Sequence, residues 1–150
     1  VYAVIGLVVA FGLVALVLPW LLAGDRYTAE IDVRAQWGDG AAFQPAGCGS
    51  GAGAPRRFNG VFFILGGAHP RVMVPMKSDG TPRGLVLDTM PRPTRVEAAA
   101  CSVLEGQIAL MGREAHHVEG VKGQLKIECT LPDGVVLRLE GSFSNCFRPT

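Results

Sequence analysis

The 150-residue chain balances 14 basic against 13 acidic side chains for a formal net charge of +1, so it lacks the clustered positive charge that drives phosphate-backbone binding, and a nucleic-acid partner is excluded. Its hydrophobic share, 49%, is unusual for a water-soluble domain until the apolar residues are located, because they are concentrated at the amino terminus.

From Val1 to Ala23 there is no charged side chain. A helix of that length reaches about 34 Å, enough to cross a hydrocarbon core of about 30 Å. The run exceeds the apolar core of a signal peptide, and no basic segment precedes it, so residues 1–24 are expected to form a retained transmembrane anchor helix. Tyr2 and Trp20 stand near its two ends, where amphipathic rings favour the headgroup level. Gly6, Ala10 and Gly12 offer a small-residue face against which a neighbouring helix could pack.

Residues 25–150 have the length of one domain. Tyr27, Ala29, Ile31, Val33 and Ala35 alternate with polar residues, the period of a half-buried strand directly after the anchor. The stretch from Trp37 to Asn59 is rich in glycine and proline and reads as a long loop. Further strands are expected at Val61–Gly66, Arg71–Met76, Leu85–Met90, Cys101–Met111, Val121–Leu131 and Val135–Phe143, with one or two helical turns within Thr94–Ala100. Ser78-Asp79-Gly80 and Pro132-Asp133-Gly134 are tight-turn signals. The expected class is mainly β with one amino-terminal transmembrane α-helix: an antiparallel β-sandwich or small barrel of about seven strands.

All four cysteines lie in the β-rich part, and none is in a CxxC arrangement, so disulfides fit better than structural zinc or haem attachment. A hairpin of Cys101–Met111 with Val121–Thr130, turning near Ala115, sets Cys101 opposite Cys129 and leaves Cys48 for Cys146. Disulfides imply an oxidising compartment: the periplasm and the inner membrane if the host is bacterial.

Catalytic patterns are weak. Gly47-Cys48-Gly49-Ser50-Gly51 lacks the order of a nucleophile elbow, and its glycine spacing has no βαβ context. His116 and His117, flanked by Glu114 and Glu119, fall at a hairpin end, and adjacent strand residues point to opposite faces. His69 precedes Pro70 in a turn. Arg56-Arg57 and Arg92-Pro93-Thr94-Arg95 are basic patches suited to an acidic neighbour or to lipid headgroups. No catalytic group, cofactor or metal is assigned.

The expectation is a non-catalytic accessory or structural subunit of a larger membrane protein complex. The helix and the β domain would both contact other membrane-protein subunits as well as the lipid bilayer, with the domain in the periplasm. Single-span subunits of photosynthetic and respiratory complexes share this layout. An apolar amino-terminal helix before a β-rich head also resembles type IV pilins, which implies a filament subunit as the alternative; Ile5, however, stands where pilins carry a glutamate. A membrane-tethered periplasmic ligand carrier or envelope enzyme is the third expectation.

Overall fold

The computed structural model describes residues 28–149. The anchor helix expected at residues 1–24, with Tyr2, Gly6, Ala10, Gly12 and Trp20, lies outside the described residues. Among the described residues no helix is long and apolar enough to cross a membrane; the helical elements there are two three-residue 3₁₀ turns.

Nine strands form two antiparallel sheets. They are β1 (Glu30–Trp37), β2 (Gly47–Ser50), β3 (Gly60–Ile64), β4 (Arg71–Pro75), β5 (Gly84–Asp88), β6 (Thr94–Glu97), β7 (Cys101–Ala115), β8 (Val118–Thr130) and β9 (Val136–Cys146). The first sheet has the order β1-β9-β8-β7 and the second β2-β3-β4-β5-β6. Their inner faces share one core in a sandwich-like arrangement: Val33, Leu125, Ile127, Leu137 and Leu139 from the first meet Val61, Phe63, Val72, Val74, Leu85 and Leu87 from the second. Phe63 and Phe143 pack edge to face across the two sheets, with centroids 5.4 Å apart, a geometry that aligns ring edge with ring face.

The count of about seven strands is corrected to nine. The strand that sequence reading took for loop is β2, which contains no β-branched or aromatic residue. It is held by tertiary contacts instead. Cys48 is bonded to Cys146, the Ser50 N–H donates to the Phe147 carbonyl at 2.6 Å, and Gly49 lies under the Phe62 ring, where an added Cβ would come within 2.4 Å of Cζ. The other is β6, which occupies Thr94–Glu97 where helical turns were expected; only Ala98–Ala100 coils, as one 3₁₀ turn. Val96 is its sole buried residue, too little for a period to show.

Turn chemistry follows the residues. Gly134 takes φ +85° and Gly80 φ +84°, as their turns require, and Asp79 accepts both the Thr81 hydroxyl at 2.6 Å and the Thr81 N–H at 2.9 Å. The Thr81 hydroxyl, and after it the Thr81 N–H, hold the Asp79 carboxyl below its ordinary value. The β7–β8 hairpin closes on His116 and His117, both with positive φ (53° and 60°), the backbone of a two-residue type I′ turn.

Candidate functional site: an arginine-bordered groove

The outer faces of the two sheets differ in kind. On the first sheet, Glu105, Lys126, Glu140 and Arg34 lie in one row across β7, β8, β9 and β1, so charge alternates from strand to strand. In the next row Arg138 Nε donates to Glu128 Oε2 at 2.8 Å, and the Ser102 hydroxyl donates to the other carboxylate oxygen at 3.0 Å. Arg138 first, then Ser102, hold the Glu128 carboxyl below its ordinary value. This face neutralises its own charges and has the character of a solvated surface.

The second sheet is apolar outside as well as inside. Phe62 and Met73 are buried on its outer face with Ala54, and Phe58, Ile64 and Val86 pack against them. The register explains the cluster: Gly49, Phe62, Met73, Val86 and Arg95 are successive cross-strand partners from β2 to β6. The loop after β2 folds back so that Phe58 covers part of this row, and Arg71 places its guanidinium 5.0 Å from the centroid of the Phe62 ring, within cation–π range.

Where that cover ends, a groove of about 310 Å³ opens. Met73 and Val86 contribute its floor, Phe58, Pro75 and Pro93 its walls, and Arg56, Arg57, Arg83 and Arg95 its border, against a single carboxylate, Glu97. All four arginines are exposed. None of them is in an ion pair, because the two ion pairs among the described residues are Lys126–Glu140 and Arg138–Glu128. Guanidinium groups offer a planar fork of donors that fits a carboxylate or phosphate, and unpaired ones over an apolar floor suit an anionic group attached to an apolar body. The lining holds no serine, threonine, cysteine, histidine or lysine, and Glu97 is its one carboxylate.

A second, wider recess of about 880 Å³ adjoins the groove through Arg57 and Phe58; His116, His117 and Arg148 border its other side. Among the described residues no group of three or more His, Cys, Asp or Glu is placed to hold a metal ion. His69, read as a turn residue before Pro70, stacks on Trp37 at 4.9 Å and on Phe43 at 5.6 Å, at the end of the first sheet away from the β7–β8 turn. Four cysteines form two disulfides: Cys101–Cys129 joins β7 to β8 within the first sheet, and Cys48–Cys146 ties β2 of the second sheet to β9 of the first.

Sequence reading named Arg56, Arg57 and Arg95 as separate basic patches. It missed Arg83 and the convergence of all four, since Arg57 and Arg95 are brought together only by the pairing of β3 through β6. Arg92, the remaining arginine of those patches, does not line the groove. No family model matches the chain, and neither the curated proteins nor the solved structures contain a match to it.

Proposed function

We propose that this chain is a non-catalytic accessory subunit of a larger membrane protein complex. Its apolar amino-terminal run tethers it in the bilayer, its β domain lies on the periplasmic side, and the arginine-bordered groove receives an acidic segment of a neighbouring subunit. The observation that carries this reading is the contrast between the two outer faces. One sheet alternates cations and carboxylates across its outer face and joins four of them in two ion pairs, whereas the other sets four arginines, none in an ion pair, against one carboxylate around an apolar floor. Unpaired arginines beside aromatic and methionine side chains have the composition of interface anchors. Two disulfides favour an oxidising compartment, and the uncharged run from Val1 to Ala23 favours a membrane tether.

The test is gentle solubilisation of native membranes, followed by size separation and mass spectrometry, on the full chain and on its Arg83→Glu/Arg95→Glu variant. The wild-type chain is expected to comigrate with a defined set of larger subunits, and the variant to lose at least about tenfold of that association, as reversal of two desolvated charge contacts would give. Migration of the wild-type chain alone or as a homopolymer overturns the subunit reading. Unchanged association of the variant removes the groove from it.

A further inference from the structure

Three segments distant in sequence wall the wider recess beside the groove, and each is held in place by contacts of its own. The loop after β2 is drawn in on Gly51, whose carbonyl accepts the Ala54 N–H at 3.1 Å and the Phe58 N–H at 3.2 Å. A Cβ at Gly51 would come within 2.4 Å of the Phe58 carbonyl oxygen, so this closure, which sets Arg57 and Asn59 at the recess, needs glycine there. The carboxy-terminal tail is fixed by the Cys48–Cys146 disulfide, by the Ser50 N–H on the Phe147 carbonyl, and by the buried Phe147 ring, which occupies the space a Cβ on Gly120 would need. Arg148 follows at once. The third wall is the β7–β8 turn of His116 and His117, closed by the buried Val118. Gly53 joins all three: a Cβ there would lie 3.3 Å from the Val118 methyls and 3.5 Å from the Arg148 Cβ.

The recess of about 880 Å³ takes its polar lining from Arg57, Asn59, His116, His117 and Arg148, and no carboxylate lines it. None of these five side chains makes a hydrogen bond or ion pair among the described residues. The carboxylates nearest in sequence are turned away. Glu114 and Glu119 are cross-strand partners on the hairpin face opposite that of Ala115 and Val118, and Glu119 accepts the Gly112 N–H at 3.1 Å. Since Val118 lines the recess, alternation along the strand keeps both carboxylates off it.

Five donor-bearing side chains around one space, with no anion of the chain among them, select a ligand that brings many acceptor oxygens. A phosphate group carries three and a carboxylate two, and guanidinium forks bind either. The volume lies within the range of about 300–1,000 Å³ for small-molecule sites and exceeds what a single phosphate group fills. Arg57 stands on one wall, and Arg148 with the two imidazoles borders the other side.

We infer that this recess binds a small molecule carrying two or more phosphate groups, one met by Arg57 and Asn59 and another by Arg148 and the imidazoles. The assignment is independent of the subunit reading. It concerns a soluble ligand at a second site, and of the groove's four arginines only Arg57 borders both.

The histidines supply a test with its own control, because the chain has three and His69 stacks on Trp37 at the other end of the first sheet. The full chain, isotope-labelled at its histidines and held in uncharged detergent micelles, is titrated with tripolyphosphate at constant ionic strength and followed by NMR. The imidazole signals of His116 and His117 are expected to shift saturably while His69 stays in place. By calorimetry, inorganic phosphate and succinate should bind at least about tenfold more weakly than tripolyphosphate, as loss of one charge-assisted hydrogen bond gives. The variant His116→Asn/His117→Gly/Arg148→Gln keeps the turn, since Asn-Gly is the favoured type I′ pair, and should lose at least about tenfold in tripolyphosphate affinity. Arg83→Gln/Arg95→Gln alters the groove alone and should stay within about twofold of wild type at screening salt. Shifts that fail to saturate or that appear equally at His69 overturn the inference, as does unchanged affinity of the recess variant. Equal affinity for inorganic phosphate or succinate overturns the ligand class.

Discussion

At the scale of single residues, the side chains that set this domain's behaviour are those whose partners lie far away in sequence. Glu128 shows the point: its carboxylate is held by Arg138 on β9 and Ser102 on β7, both on the outer face of the first sheet. Because its folded-state value is depressed, Glu128 adds stability that is present above the ordinary carboxylate range and is lost as pH falls through the lowered value. Urea unfolding of wild-type and Glu128→Gln protein at a series of pH values should show the wild type losing more stability than the variant on acidification, with the difference largest at neutral pH. Identical acid limbs would show that the contact contributes nothing, as many exposed ion pairs do. Phe63 makes the complementary case in the core. It is fully buried and meets Phe143 of the opposite sheet, so Phe63→Ala is expected to cost about 3–5 kcal/mol by denaturant titration, the range for a buried aromatic.

Among the elements, β2 has the weakest local claim to be a strand and the most tertiary support. Its disulfide closes a sequence separation of 98 residues, against 28 for Cys101–Cys129. In the chain-entropy account the longer loop stabilises more, by about 1 kcal/mol for this ratio. The Cys48→Ala/Cys146→Ala pair is therefore expected to lower stability more than Cys101→Ala/Cys129→Ala, by about that margin, and to release the β2 edge first in hydrogen exchange. Equal losses would place the difference in the native state rather than in the unfolded chain. The β7–β8 hairpin is the opposite kind of element. A turn near Ala115 set Cys101 opposite Cys129, as the structure has it, but the strands expected to stop at Met111 and resume at Val121 run on to Ala115 and start at Val118, so that only His116 and His117 turn. What alternation did not show is the bulge before Glu114, because a bulge is decided by how the two strands bend against their neighbours.

For the molecule as a whole, the division between a self-neutralised sheet face and an arginine-bordered one sets which side is available to a partner, while a net charge of +1 conceals it. Composition reports sums, and a surface is made of positions. The sequence by itself determined the all-β, antiparallel character of the described domain, most of its strands, its two tight turns and its suitability for two disulfides, since each depends on residues near one another in the chain or on a simple count. Only the tertiary structure decided that Gly47–Ser50 is a strand, that Phe62 and Met73 make the outside of the second sheet apolar, and that Arg56, Arg57, Arg83 and Arg95 border one groove. The physical reason is the same for all three. A strand's period of two states which residues share a face, but the sheet order and the packing of the loop after β2 determine which faces meet, and those are set by long-range pairing and burial.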